Sequence, residues 1–145
     1  TIVEKGIINN KKIPTKLVGK KLLQIEEVLT DLFSRYLFQV IVKEASFNTG
    51  KIKSTQRTFE VLGVVLETCY KNGYTDIQEV AAVTVKKLVG GNGTCTKEEV
   101  KDALYSYVGY QQYQTEDVSD ATAVGVAYVR KQRLPVELYE SVADE

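Results

Sequence analysis

The feature that most constrains the fold is a short apolar run that ends in a carboxylate. Residues 38–42 include three consecutive β-branched side chains, and Lys43 and Glu44 follow them. A run that is apolar on both faces is typical of a strand buried inside a parallel sheet. An unpaired buried charge is costly or shifts its pKa. We therefore expect Glu44 to have a partner at the end of this strand, and a metal ion is the partner that we predict.

Helical and strand-like patterns alternate on both sides of this run. Before it, apolar residues recur every three or four positions from about residue 16 to 37, which indicates an amphipathic helix. The other predicted elements are a strand over 2–8, a helix over 54–70 that stops at Asn72-Gly73, a strand over 76–83, one or two helical turns over 84–89, a helix from the capping box at 96–99 to about 108, and a helix over 117–131. Strands that alternate with helices predict an α/β fold.

The helix predicted over 54–70 has two interpretations. Its apolar residues cover more than one face, and Gly63 lies in its middle, where glycine costs about 1 kcal/mol relative to alanine. A helix that is apolar on more than one side is usually packed on two sides. The helix is thus a central core element, or it also forms a dimer contact near Gly63, and both interpretations stay open.

Length and composition predict one ordinary globular domain. The 145 residues are 43% hydrophobic and 26% charged. We expect a single domain over 1–134 and an acidic tail over 135–145. No apolar run approaches the roughly 18–20 residues that span a membrane, and no leader is visible, so we expect a cytoplasmic protein without a membrane partner. Cys69 and Cys95 are far apart in sequence and are predicted to be reduced thiols.

Charge is distributed unevenly although the net charge is zero. Residues 1–58 carry eleven Lys and Arg against five Asp and Glu, whereas residues 59–145 carry eight against fourteen. A basic half is what a nucleic-acid partner would require. The chain contains no histidine, which excludes Ser-His, Cys-His and other histidine-based mechanisms.

Two aspartates, Asp117 and Asp120, stand three residues apart at the start of the last predicted helix and share one face. Acids there also complement the helix dipole, which is the ordinary alternative. The residues that follow are small and apolar, so this helix can pack closely on a sheet. If Glu44 emerges at that edge of the sheet, three hard oxygen ligands converge, and such a site suits Mg²⁺ or Mn²⁺.

Lys86 and Lys97 lie on either side of the glycine cluster 90–93. The cluster lacks the Gly-Lys-Ser/Thr ending of a P-loop, so we interpret it as a helix stop and turn. The two lysines are candidates to stabilise charge on a reacting phosphate. Solvated surface lysines are the alternative.

Together these residues resemble the RuvC family of Holliday junction resolvases, which have a ribonuclease H-like fold with a mixed sheet flanked by helices. The likeness spans about residues 40–130. It is carried by four segments: Ile41-Val42-Lys43-Glu44-Ala45-Ser46-Phe47, Ser54-Thr55-Gln56 leading to Glu60 and Gly63-Val64, Val85 to Thr94 with Lys97, and Asp117-Val118-Ser119-Asp120-Ala121.

The resemblance implies a role for each matching residue. Glu44, Asp117 and Asp120 would bind Mg²⁺, for which Mn²⁺ could substitute, and Lys86 and Lys97 would act in catalysis near the scissile phosphate. Phe47 would stack on an unpaired base. The remaining DNA contacts that we expect are Lys51, Lys53, Arg57 and Lys87. The helix over 54–70 would match the one through which these nucleases form homodimers, and two-fold symmetry suits a substrate that must be cut on two strands.

One departure concerns a further aspartate that the family carries on the first strand of its sheet. Between Thr1 and Glu44, Glu4 lies in what resembles the next strand, and Glu26, Glu27 and Asp31 lie on the first predicted helix. We therefore expect the first strand to be missing from these 145 residues, and we expect the residues alone to bind metal poorly and to be inactive.

Three hypotheses for function follow. The first is a metal-dependent, structure-selective endonuclease that resolves four-way junctions, with forks and flaps as further substrates. The second is a non-catalytic protein of the same fold that binds branched DNA. The third is an interaction protein whose charge asymmetry drives only dimerisation.

Overall fold

The computed structural model describes residues 1–45 and 52–133. Its elements, in chain order, are α1 (Val18–Arg35), β1 (Ile41–Glu44), α2 (Ile52–Lys71), β2 (Ile77–Val80), α3 (Ala82–Val85), a π-helical segment (Lys86–Gly90), α4 (Lys97–Val108) and α5 (Glu116–Arg133). β1 and β2 are neighbours in a small parallel sheet. This order confirms the predicted α/β alternation.

The chain divides into two compact units. The first unit comprises Thr1–Ile7, Val42–Ala45 and the chain from Glu79 onward. The second comprises Ile8–Ile41 and Ser46–Gln78. The prediction of a single domain over 1–134 with an acidic tail over 135–145 stays a prediction.

The core of the first unit is formed where α4 and α5 pack against the π-helical segment. Leu88 and Leu104 are the most deeply buried large side chains, at 2% and 1% exposure. Burying one such leucine contributes about 1.5–3 kcal/mol. Ala123 and Ala127 of α5 are also buried in this cluster, because their small side chains let the helix approach closely. The predicted close packing of this helix is confirmed, but its principal neighbours are α3, α4 and the π-helical segment rather than the sheet.

The second unit is built from α1 and α2. An aromatic cluster closes it at the end of α1, where the ring of Phe33 lies 5.0 Å from that of Tyr74 and 5.9 Å from that of Phe38. The Tyr74 hydroxyl also accepts a hydrogen bond of 2.9 Å from the backbone N–H of Phe38. These contacts fix the chain immediately before β1.

Local signals predicted the helix ends well. α2 ends at Lys71, and Gly73 follows with a φ of 92°, which glycine adopts readily. The N–H of Tyr74 donates to the carbonyl of Cys69, as in a Schellman motif. Gly91, with φ of 89°, follows the π-helical segment, and its N–H donates to the carbonyl of Lys87. α4 begins at the predicted capping box, in which the Thr96 hydroxyl accepts from the Glu99 N–H at 3.1 Å.

Two strand predictions were wrong. Residues 1–9 form neither helix nor strand, although 2–8 alternate weakly in hydropathy. β1 is not buried on both faces: Ile41, Val42 and Lys43 are half-buried and Glu44 is exposed. In the described residues β1 pairs with β2 alone, so it lacks the second neighbour that a fully buried strand requires. Glu44 therefore does not bear the desolvation cost that drew attention to it.

The interpretation of α2 as a central core helix was also wrong. Its fully buried residues are Thr68 and Cys69. Phe59, Leu66 and Tyr70 are 52%, 41% and 68% exposed. α2 packs on α1 and leaves its other face open. The dimer interpretation stays a prediction.

In the part of the chain that the structure describes, no helix combines the length and apolar character needed to cross a bilayer.

Candidate active site

Four of the five predicted catalytic side chains line one cavity in the first unit. Glu44, Lys86, Lys97 and Asp120 border a space of about 100 Å³. The rest of the lining is apolar or small: Ala82, Val85, Val100, Ala123 and Val124. Hard oxygen donors and ammonium groups thus face a common space that has an apolar wall.

Glu44 is positioned by the strand that it ends. Val42, two residues earlier, packs against the core of the first unit. Alternate residues of a strand point to the same face, so Glu44 points to the core side as well. The N–H of Ala45 donates to the carbonyl of Val80 at 2.9 Å, which continues the pairing of β1 with β2 just past Glu44.

Asp120 and Lys97 are brought together by the first turns of two helices. The Nζ of Lys97 lies 3.5 Å from the Oδ2 of Asp120, and their side chains are 71% and 39% exposed. The capping box fixes the start of α4, and Lys97 is the first residue of that helix. The sequence proposed Lys97 only as a residue that stabilises a reacting phosphate, so its contact with Asp120 is a finding of the structure.

Lys86 is the first residue of the π-helical segment and is half-buried at the cavity. Single π-helical turns often occur at functional sites, where they redirect a side chain at the cost of regular hydrogen bonding. The sequence predicted one or two helical turns here but carried no signal for their π geometry.

Asp117 is the predicted ligand that the structure does not bring to the cavity. It is exposed on the first turn of α5 and is not among the residues that line the space. Among residues 1–45 and 52–133, no three acidic or cysteine side chains are grouped closely enough to hold a metal ion. Glu44 and Asp120 share the cavity as a pair, and the role of Asp117 stays a prediction.

The donor set nevertheless suits a hard divalent cation. Mg²⁺ is usually held by one or two carboxylates, with waters and substrate phosphates completing its coordination. Glu44 and Asp120 supply that number of carboxylates, and the described residues that line the cavity include no cysteine. The side chains at the cavity therefore fit Mg²⁺ or Mn²⁺ better than a soft transition metal.

The predicted DNA-contacting residues have different placements. Phe47 and Lys51 lie outside the described residues. Lys53 is exposed near the start of α2. Arg57 donates to Glu60 at 2.8 Å, and this hydrogen bond lowers the pKa of the Glu60 carboxyl.

Lys87 differs from the other predicted DNA contacts because it is only 7% exposed. A Cβ added at Gly93 would lie 3.0 Å from the Cε of Lys87, so the methylenes of Lys87 pack closely over the glycine turn. This burial argues against the direct phosphate contact predicted for Lys87 and indicates a packing role. Glycine at 93 leaves the room that the lysine stem fills.

One ion pair beside the site, between Lys43 and Glu79, was not predicted from the sequence. The Nζ of Lys43 lies 2.6 Å from the Oε1 of Glu79, joining the strand that carries Glu44 to its neighbour. The sequence contained part of the signal for this ion pair. Lys43 precedes Glu44, and the two-residue period of a strand places their side chains on opposite faces of β1. Only the pairing of β1 with β2 identifies Glu79 as the partner.

Comparison with known structures identifies the fold. Residues of this chain superpose on a Thermus thermophilus RuvC in complex with a Holliday junction substrate with a TM-score of 0.75, at 19% identity, over 86% of this chain and 74% of that one. A second Thermus thermophilus RuvC structure gives 0.74 at 18% identity, over 88% and 75%. The α/β arrangement is therefore a ribonuclease H-like fold.

Comparison of sequences gives the family. The family model described as crossover junction endodeoxyribonuclease RuvC matches residues 1–128. The RuvC of Ehrlichia ruminantium (strain Gardel) is 29% identical over 126 residues, which cover 85% of this chain and 78% of the relative. The RuvC of Xanthobacter autotrophicus is 31% identical over 111 residues, 77% of this chain and 65% of the relative. The chain belongs to the RuvC family, as its motifs predicted.

Proposed function

We propose that this chain is a divalent-metal-dependent endonuclease that resolves Holliday junctions and related branched DNA by cutting two strands as a homodimer. Membership of the RuvC family, whose model matches residues 1–128, is the observation that carries the proposal. Similar proteins from Ehrlichia and Xanthobacter are named crossover junction endodeoxyribonucleases. One of the similar solved structures is a Thermus thermophilus RuvC in complex with a Holliday junction substrate.

The two carboxylates and two lysines at the cavity support a role in phosphodiester hydrolysis. We assign Glu44 and Asp120, with Asp117, to hold Mg²⁺, for which Mn²⁺ can substitute. A bound divalent ion would supply an activated water and stabilise the attacking and leaving oxygens. Lys86 and Lys97 would bind the phosphate and stabilise the negative charge that develops on it. This division of roles suits a chain without histidine.

Homodimer formation is assigned to one face of α2. Its exposed residues recur at intervals of seven, four, three and four and point in nearly the same direction, since each turn holds 3.6 residues. We call this set the α2 stripe: Ile52, Phe59, Gly63, Leu66 and Tyr70. An open row of large apolar residues with a glycine in its middle is typical of a helix-to-helix contact, and a two-fold axis there would give each dimer two cavities.

DNA contacts outside the cavity are assigned to residues near the start of α2. Lys53 is exposed there, and Phe47, Lys51 and Arg57 are retained as predicted contacts. We also propose a cytoplasmic location.

Cleavage of a synthetic four-way junction tests the proposal, with the protein expressed from its complete reading frame and Mg²⁺ present. Glu44→Gln removes one anionic ligand while keeping the size of the side chain, so we expect cleavage to fall by at least about 100-fold, the upper end of losses from ligand-supporting residues. Junction affinity, measured in Ca²⁺ by gel shift, should stay within a few-fold of wild type.

Asp102→Asn is the matched control, because Asp102 is an exposed acid on α4 outside the cavity. It should cleave like wild type. Wild-type cleavage by the Glu44→Gln protein would contradict the assignment of the site.

A non-catalytic protein that binds branched DNA is the second candidate. It is favoured by one observation: the described residues bring two carboxylates to the cavity and no group of three. Tight junction binding without any Mg²⁺- or Mn²⁺-dependent cutting by the wild-type protein would select this candidate. Phosphate contacts are strong at ~50 mM salt. Failure to bind junctions there would exclude both the nuclease and the DNA-binding protein, and the interaction-protein hypothesis would remain.

A further inference from the structure

Lys97 stands at a position where its charge is unfavourable. It is the first residue of α4, and the N-terminus of a helix carries a partial positive charge that favours acids. The next two residues, Glu98 and Glu99, follow that rule. A residue that breaks a local rule usually does so for a compensating reason, often a functional one.

The compensation is a contact with a proposed metal ligand. The Lys97 side chain is 71% exposed and could extend into water, yet its Nζ lies 3.5 Å from the Oδ2 of Asp120 and it borders the cavity. Lys86 borders the same cavity, but in the described part of the chain no ion pair joins Lys86 to a carboxylate. Of the two lysines, Lys97 is therefore the one that neutralises Asp120.

The Lys97–Asp120 ion pair is weak enough for a cation to displace the lysine. Exposed ion pairs contribute about 0–1 kcal/mol, and a separation of 3.5 Å is long for a charge-assisted hydrogen bond. A divalent cation at the same oxygen carries twice the charge of an ammonium group. Exchange of one for the other would cost little and would leave Lys97 free at the rim of the cavity.

We propose that Lys97 is an exchangeable counter-ion of Asp120: it neutralises this carboxylate while no cation is bound, and it moves to the scissile phosphate when a cation takes its place. The proposal rests on the proposed function, because it takes Asp120 as a metal ligand. It adds that cation binding and phosphate binding are coupled through one side chain. Such coupling is reciprocal, so DNA phosphate that engages Lys97 must tighten cation binding by the same factor.

Titration calorimetry with Mg²⁺ and DNA-free protein at low salt tests the first half. Lys97→Gln removes the competing charge beside Asp120, so we expect it to bind Mg²⁺ about five-fold more tightly than wild type, a size set by unit charges a few ångströms apart in a partly solvated site. Lys97→Arg keeps the charge and should bind no more tightly than wild type. Lys86→Gln removes the same charge from the same cavity without an Asp120 contact, and we expect a change within about two-fold.

A Lys97→Gln affinity within two-fold of wild type would overturn the proposal, as would an equal gain in Lys86→Gln. Thermal unfolding by circular dichroism accompanies each titration; if Lys97→Gln fails to fold, tighter Mg²⁺ binding by Lys97→Arg than by wild type overturns the proposal instead. An absence of Mg²⁺ binding in every protein would contradict the metal assignment in the proposed function as well. Mg²⁺ binding that Lys97→Gln leaves unchanged contradicts only the role of Lys97.

Ca²⁺ titrations with a four-way junction, under conditions without cutting, test the second half. In wild type the junction should tighten Ca²⁺ binding, and in Lys97→Gln this gain should be at least about three-fold smaller, because the coupling side chain is gone. Equal gains in the two proteins would overturn the coupling.

Discussion

The cavity of the first unit and the α2 stripe of the second are built in opposite ways. The cavity is assembled from the ends of short elements, since Glu44 ends a four-residue strand and Lys97 begins a helix. The stripe lies along one helix of 20 residues. The geometry of the cavity therefore depends on several local motifs that fix where strands and helices begin and end. The α2 stripe depends only on helical periodicity.

Burial differs in the same way between the two regions. The elements around the cavity pack on a continuous core that includes Leu88 and Leu104. The α2 stripe exposes large apolar side chains, of which Ile52 is 86% exposed. A rigid core under a small polar site is what positioned catalysis requires, and an open apolar row is what association requires.

Truncation of one leucine in each region tests this contrast and has the largest expected effect on stability. Leu104→Ala should lower the free energy of unfolding by about 2–5 kcal/mol, because the side chain is 1% exposed and leaves a cavity. Leu66→Ala makes the same chemical change at 41% exposure and should cost less than about 1 kcal/mol in the monomer.

Urea denaturation at low protein concentration, where dissociation is complete, measures both values. Equal losses in the two variants would show that α2 is as buried as the core, and the contrast between the regions would be wrong.

Charge placed on the stripe tests its role in association. Leu66→Lys should weaken the dimer by about ten-fold or more, since it introduces a cation into each copy of a two-fold apolar contact. Analytical ultracentrifugation over a range of concentrations measures the dissociation constant. Leu23→Lys on α1 is the control, because Leu23 is similarly exposed, at 51%, and lies outside the stripe.

An unchanged dimer in Leu66→Lys would remove α2 from the interface. A loss of the same size in Leu23→Lys would show that added charge, rather than the stripe, dissociates the protein.

Sequence reasoning succeeded where a local signal determines structure. The capping box at Thr96 and Glu99 defined the start of α4, and Asn72-Gly73 defined the end of α2, because both are short-range hydrogen-bonding devices. The glycine cluster was correctly interpreted as a helix stop rather than a phosphate loop. The family and the α/β class also followed from motifs in the right order.

Long-range features were harder to predict. The burial of β1 was overestimated. An apolar run indicates that a strand packs against a core, but it does not indicate how many strands pair with it. The burial of Lys87 was missed, because it depends on the room left at Gly93. For the candidate site, the sequence predicted that Glu44, Asp117 and Asp120 converge, but only the three-dimensional structure shows that Glu44 and Asp120 share a cavity with Lys97 and that Asp117 is not part of its lining.

The central proposal is that each protomer carries one cutting site and that the α2 stripe joins two protomers. Mixed dimers that pair one wild-type and one Glu44→Gln subunit, separated by different affinity tags, test this most directly on a four-way junction with Mg²⁺. We expect mixed dimers to nick one strand and leave its counterpart intact, whereas wild-type dimers release paired duplex products. Mixed dimers that cut both strands, or neither, would contradict it.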